Sequence, residues 1–253
     1  MCTLIVALAP GTARPLLVGA NRDEDLSRPW QGPRWRDFGA RRAFAPKDLV
    51  GGGTWMGLSD AGIFVALTNR YGIPPYPERR SRGALVARAL SAVDLSDIES
   101  WAATLRGAEE RGFHLFATDG RAALLLVGDG ARIEIRRLGR GVHVITERAF
   151  GAAPSGRQSG LEARFEGVEP EAIDPETVAA LLADHSGGPF DGVCVHVPEK
   201  RYGTRSAAIV ERFADGAVRW LTTEGPPCTA PWRASTPTDD ASDRDGSSPS
   251  DLG

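Results

Sequence analysis

From Thr3 to Ala9 the chain is almost continuously apolar, Pro10-Gly11-Thr12 interrupts it, and Pro15 to Ala20 resumes it. That pattern predicts a hairpin. Its first strand starts beside Cys2 and its second ends at Asn21-Arg22-Asp23-Glu24-Asp25. The Pro/Trp/Arg-rich stretch from Ser27 to Lys47 predicts a loop, and residues 51–57 and 62–69 predict two strands joined around Asp60-Ala61-Gly62. Residues 71–80 are proline-rich and predict a second loop. Leu85, Ala89 and Leu90 have helical spacing over 82–93, and Asp94-Leu95-Ser96-Asp97 predicts the cap of a second helix reaching about Leu105. Strands are expected at 113–118, 122–127, 132–138 and 142–146, with Asp119-Gly120 as a hairpin turn. Helices are expected at 158–166 and 175–184, and strands at 192–197, 204–213 and 217–223. The grouping predicts an α+β fold of antiparallel sheets with layered helices, not strict βαβ alternation. One domain over 1–233 is expected, followed by a disordered acidic Ser/Asp-rich tail over 234–253.

Composition narrows the classes. The chain has 253 residues, 42% of them hydrophobic, and a net charge of −3. That supports a substantial core and excludes a disordered, collagen-like or disulfide-stapled chain. Three cysteines without CxxC spacing fit a reducing, cytoplasmic compartment. No apolar run approaches 18 residues, so no membrane span is expected, and no basic stretch precedes the first apolar run as in a signal peptide. The charge is uneven: residues 1–90 carry net +6 and residues 91–253 net −9. An anionic ligand near the first segment is one reading and a weakly basic rim the plainer one. Only two of the 30 basic residues are lysine, and no basic helix is interleaved with aromatics, so nucleic acid is not the expected partner.

Cys2 carries the clearest chemistry. A small second residue permits removal of Met1, which leaves a cysteine with both a thiol and a free α-amine. The amine's pKa of roughly 8 lies close to the thiol's roughly 8.5, so one residue supplies nucleophile and base. The plainer reading is a small residue starting a strand. Asp23, returned beside that start by the hairpin, is placed to hold the amine, with Asn21 and Arg22 at the pocket mouth. Alternatively it is a charged turn paired to Arg22 or Arg28. Asn69, ending the strand 63–68, is an oxyanion donor or a turn residue. Arg205 binds a carboxylate, holds the active-site carboxylate or lies on the surface. Trp30, Trp35 and Trp55 form an apolar ligand wall or pack in the core. The Gly51–Gly53 run lacks both nucleotide-loop spacings, and permits close backbone approach or a flexible loop. Cys194 and His196 share a strand face but lack further ligands at metal-site spacing. A buried cysteine beside a hydrogen-bonded histidine is expected, and no metal or other cofactor. His114, His143 and His185 are isolated in the sequence.

Met1-Cys2-Thr3-Leu4, Ala20-Asn21-Arg22-Asp23-Glu24, Arg28-Pro29 and Gly52-Gly53-Thr54-Trp55-Met56-Gly57 resemble the NRDE family, that of the transport and Golgi organisation protein. Leu67-Thr68-Asn69, Arg82-Gly83 and Tyr202-Gly203-Thr204-Arg205-Ser206 extend the resemblance over about residues 1–225. The family is similar to N-terminal nucleophile hydrolases of the cysteine type. This implies a four-layer αββα fold with two stacked antiparallel sheets. It also implies Cys2 as nucleophile, Asp23 as the carboxylate near its amine, Asn69 as oxyanion amide and Arg205 as the late active-site arginine. Asn21, Arg22, Arg28 and Trp55 are then substrate-binding residues. Ala20 stands where those hydrolases carry an arginine, and Glu147 where many relatives carry asparagine. The implied activity is hydrolysis of a linear amide on a small-molecule substrate. The alternative is a binding protein for haem, an acyl chain or another hydrophobic anion.

Overall fold

Along strand β1 (Cys2–Leu8), Leu4, Val6 and Leu8 pack into one core cluster, while Ile5 and Ala7 pack into another. Both faces of the strand are therefore covered, which is why its apolar run is continuous rather than alternating. Strand β2 (Leu16–Asp25) repeats the arrangement, with Leu16, Val18 and Ala20 on the first face and Leu17 on the second.

The computed structural model describes residues 2–74, 76, 78–152, 155–235 and 237. The remaining strands are β3 (Trp30–Phe38), β4 (Arg41–Asp48), β5 (Met56–Ser59), β6 (Phe64–Asn69), β7 (Phe113–Thr118), β8 (Ala123–Gly128), β9 (Ile133–Leu138) and β10 (Gly141–Thr146). They continue with β11 (His196–Val197), β12 (Tyr202–Arg212), β13 (Val218–Thr223) and β14 (Arg233–Ala234). The first sheet has seven strands in the order β10-β1-β2-β12-β13-β14, with β11 also on β12. The second has seven in chain order from β3 to β9. All the pairings within both sheets are antiparallel.

The sheets stack face to face through Leu4, Val18, Phe44, Met56, Phe64, Phe116 and Trp220. Helices α1 (Arg82–Leu90) and α2 (Leu95–Ala102) cover the outer face of the second sheet, and α3 (Gly156–Arg164) and α4 (Pro175–Leu182) that of the first. This is the four-layer αββα arrangement. Three of the helices begin where a polar side chain satisfies a first-turn amide: Asp94 accepts from Asp97, Ser155 from Gln158 and Asp174 from Thr177. None of the described helices is long and apolar enough to cross a membrane.

Three expectations are corrected. The stretch 27–47 is not a loop but holds β3 and most of β4. Pro33 misled the pattern. It sits on an edge strand where the register shifts between Gln31 and Arg34, a place that tolerates a missing N–H. Of the strand expected at 192–197, only His196–Val197 forms. Arg233–Ala234 pairs with β13 rather than beginning a tail. The rest of the expected tail, apart from Ser235 and Pro237, lies outside the described residues.

Candidate active site

The hairpin places Cys2 opposite Arg22, and the next residue of β2, Asp23, opposite Thr204 of β12. Directly opposed residues share a face. Cys2, Leu4, Ala20 and Arg22 accordingly line the space between the sheets. Asn21 and Asp23 have their side chains bonded on the helix side. Cys2 borders two recesses. One is apolar, about 440 Å³ including its mouth, with Leu4, Trp30, Trp55, Met56 and Trp220 in its walls. The other is a polar cleft of about 990 Å³ including its mouth. Asp23, Asn69, Tyr202 and the arginines 22, 28, 82 and 111 line it.

Asp23 is buried and its carboxylate is held from two sides. The Thr204 hydroxyl donates to Oδ1 at 2.7 Å, and Arg157 of α3 donates to Oδ2 at 3.3 Å. Arg157 also donates to both oxygens of Glu147, at 2.8 and 2.7 Å. Burial raises the Asp23 carboxyl above its ordinary range, against the pull of the Arg157 guanidinium and the Thr204 hydroxyl. Burial lowers the Arg157 guanidinium, but Glu147 and Asp23 more than offset it and leave that group raised. Burial likewise raises the Cys2 thiol, while the backbone N–H of Asp23 favours the thiolate. The Tyr202 hydroxyl donates to the Asp23 carbonyl at 3.0 Å and is itself raised, by burial first and then by Asp23.

Arg22 lies over the Trp55 ring at 4.2 Å and reaches Asp48 at 3.4 Å, yet its buried Nη1 has no hydrogen-bond partner. Arg28 donates to the same Asp48 oxygen at 2.8 Å. Burial lowers both Arg22 and Arg82. The cleft is thus rimmed by four arginines against the three carboxylates Asp23, Glu24 and Asp48, an arrangement suited to an anionic group. Its far wall is the start of α1. Gly53 and Gly83 meet backbone to backbone there: a Cβ on Gly53 would lie 3.0 Å from the Gly83 Cα. Close approach is therefore what the glycine run permits. Asn69 reaches the cleft from the end of β6. Beneath it His114 lies 3.1 Å from both Thr68 Oγ1 and Arg70 Nη1. Burial, then the Arg70 charge, lowers the imidazole to about 4.

Cys2, Asp23, Asn69, Arg22, Arg28 and Trp55 thus come together around one cleft. Two expected residues differ. The Asn21 amide donates to the Leu182 and Val193 carbonyls at 2.8 and 2.9 Å and so fastens the end of α4 to β2, while the residue borders the apolar recess and its buried Oδ1 has no hydrogen-bond partner. Arg205 is the extra residue where β12 shifts register between Thr204 and Ser206. It lines neither recess, and its buried Nε has no hydrogen-bond partner. Arg157 holds the carboxylate in its stead. A separation of 134 residues from Asp23 hid Arg157. The only sequence signal was two acidic residues, Asp23 and Glu147, next to apolar strands and needing a cation.

The comparisons agree with this architecture. The Transport and Golgi organisation 2 (TANGO2) family profile matches residues 1–223. A Transport and Golgi organization protein 2 homolog from Bos taurus is 28% identical over 259 residues, covering 86% of this chain and 91% of its own. Among solved structures, a Caenorhabditis elegans N-acylethanolamine-hydrolyzing acid amidase ortholog superposes with a TM-score of 0.54 at 12% identity, over 82% of this chain and 92% of that one. A variant conjugated bile acid hydrolase from Clostridium perfringens superposes at 0.56 and 10% identity, over 93% and 97%. These two likenesses are of fold, with two stacked sheets of the N-terminal nucleophile hydrolase kind. By sequence, the chain belongs to the Transport and Golgi organisation 2 family.

Proposed function

We propose that the protein is an N-terminal cysteine amidohydrolase that cleaves a linear amide joining an apolar acyl group to an amine bearing an anionic group. The observation that carries this reading is the position of Cys2 between an apolar recess and an arginine-rimmed cleft. The recess is apolar and narrow, so an acyl chain enters it by parting the Trp30, Trp55 and Met56 side chains. It takes the acyl chain, and the cleft takes the amine portion, whose anionic group meets Arg22, Arg82 and Arg111.

With Met1 removed, the Cys2 α-amine takes the thiol proton and becomes an ammonium held by Asp23. The thiolate attacks the carbonyl carbon, and the developing oxyanion accepts hydrogen bonds from the Asn69 amide and a backbone N–H. The tetrahedral intermediate collapses as the ammonium returns a proton to the leaving nitrogen. The amine departs and leaves a Cys2 thioester. Water, losing a proton to the α-amine, then cleaves the thioester to the acid and regenerates the thiol. A binding role for the apolar recess, toward an acyl chain or haem, is the alternative reading of the same walls.

The test is mass spectrometry of the intact protein before and after exposure to N-acyl amino acids and acyl thioesters. The expected result is a chain beginning at Cys2 that gains the acyl mass on Cys2, with turnover lost in Cys2→Ala. A chain that retains Met1, or turnover persisting in Cys2→Ala, refutes the mechanism. Tight binding of acyl chains or haem without turnover establishes the alternative.

A further inference from the structure

Away from the cleft, four residues that the sequence keeps apart converge. Cys194 is buried and donates its backbone N–H to the Asp184 carbonyl at 2.7 Å, which lays the chain at His185 beside it. Gly192 permits this fold-back, since a Cβ there would lie 2.9 Å from the His185 Cα. His196 follows Cys194 by two residues, and Cys228 arrives from the turn in which Thr229 and Ala230 donate to the Pro226 carbonyl. The Cys194 and Cys228 sulphurs are 3.7 Å apart, and His196 Nε2 lies 3.3 Å from each. Ligand atoms of His185, His196 and Cys228 all lie within 4.8 Å of one another.

A hydrogen-bonded relay, Cys194 S–H to Cys228 Sγ and Cys228 S–H to His196 Nε2, satisfies two of the three approaches and leaves the 3.3 Å approach of Cys194 to Nε2 without a proton. A disulfide explains it no better, because it needs sulphurs about 2.05 Å apart. A tetrahedral ion with metal–sulphur bonds of about 2.3 Å and metal–nitrogen bonds of about 2.05 Å sets sulphurs about 3.8 Å apart and sulphur–nitrogen pairs about 3.6 Å apart. The two sulphurs and His196 Nε2 are close to both spacings, and His185, within 4.8 Å of His196 and Cys228 but farther from Cys194, completes the tetrahedron by turning its exposed side chain. His185 Nδ1 lies 3.3 Å from the Ala183 carbonyl. A proton on Nδ1 leaves Nε2 as the donor atom, the usual way a backbone carbonyl orients a ligating imidazole.

We propose that His185, Cys194, His196 and Cys228 form a Cys2His2 site for a thiophilic divalent cation, zinc by its donor set. This proposal competes with the expectation of a buried cysteine beside a hydrogen-bonded histidine. Four protein ligands leave no open position, so the ion is structural. It ties the 184–197 segment to the turn at 226–230. That segment docks on β12 through Val195, whose N–H donates to the Thr204 hydroxyl at 2.8 Å. None of the four residues lines the cleft at Cys2, so this inference stands or falls independently of the amidohydrolase reading.

The test is titration of the reduced full-length protein with cobalt(II), followed by displacement with zinc(II). One ion per chain is expected, with intense visible bands of tetrahedral cobalt–thiolate that zinc abolishes. His185 is exposed and Cys228 half-buried in a surface turn, so variants there are compatible with folding, and the melting of the metal-free protein controls for it. Cys228→Ser should lower cobalt affinity by more than the 10- to 100-fold, in order of magnitude, that loss of a second-sphere contact costs. His185→Ala should lower it at least about 10-fold. Cys2→Ala should leave the bands intact. The proposal is overturned by absent bands, by unchanged affinity in either ligand variant, by bands lost in Cys2→Ala, or by reduced preparations that carry a Cys194–Cys228 disulfide and no metal.

Discussion

The two sheets have seven strands each but are assembled in opposite ways. The second is a meander in which every strand pairs with its neighbour in sequence. The first joins β2 to β12, with Asp23 facing Thr204 across most of the chain. Local pairing needs little loop closure, whereas β2–β12 pairing closes a very long loop before it gains anything. The difference shows in what holds each sheet. The meander relies on apolar faces and tight turns, with a buried polar tie at Thr68 and His114 on its β6–β7 pair. The first sheet adds buried polar ties at its long-range seam: Asn21 to α4, Asp23 to Thr204, and Arg157 to Asp23 and Glu147. The chemistry of the candidate site sits at that seam, where burial and pairing shift proton affinities most.

Substitutions that load one sheet more than the other sharpen the contrast. Trp220→Ala removes a side chain packed between the sheets, against Phe44 and Phe64, and should cost about 3–5 kcal/mol by urea denaturation. A single cooperative transition is expected; two separate transitions would show that the sheets unfold independently. Arg157→Met acts at the seam alone. It leaves two buried carboxylates without their cation and should cost about 3–4 kcal/mol, with part recovered by adding Glu147→Gln. A loss below about 1 kcal/mol would mean the seam does not depend on this ion pair.

Acid tests the meander. The His114 pKa is held down at about 4 by burial and by the Arg70 charge 3.1 Å from its Nε2, both of which favour the neutral ring. An unfolded histidine titrates near 6.5, so this contribution is complete above about pH 6.5 and falls away as the pH drops toward 4. The loss should reach at most about 3 kcal/mol, read from denaturation midpoints between pH 7.5 and 4.5. His114→Gln should flatten that slope. The smallest effect is at an end cap: Asp94→Ala removes the acceptor for the Asp97 N–H and should cost about 1 kcal/mol with no effect on Cys2 acylation.

What was legible in the sequence follows the same division. Asp119-Gly120, the strands around it and the Asp94 cap were read directly, because their determinants are neighbours. The hairpin that brings Asp23 beside Cys2 was legible for the same reason. β3 and β4 were not, since prolines that exclude a central strand are tolerated at an edge and a bulge. Arg157 was not, because nothing local distinguishes it from other helix arginines. Arg205 lies off both recesses because a register shift, not residue type, decides where a side chain lands. The convergence of His185 and Cys228 on Cys194 required the fold itself.

The meeting of Gly53 and Gly83 has a consequence for the cleft's tolerance to change. Its aperture is set by two hydrogen atoms where any other residue would carry carbon, so the gap between the 51–54 loop and α1 is already at its mechanical minimum. A methyl group on either side acts as a shim. It would swing Arg82, at the tip of the helix, away from Cys2 without touching a single reacting atom.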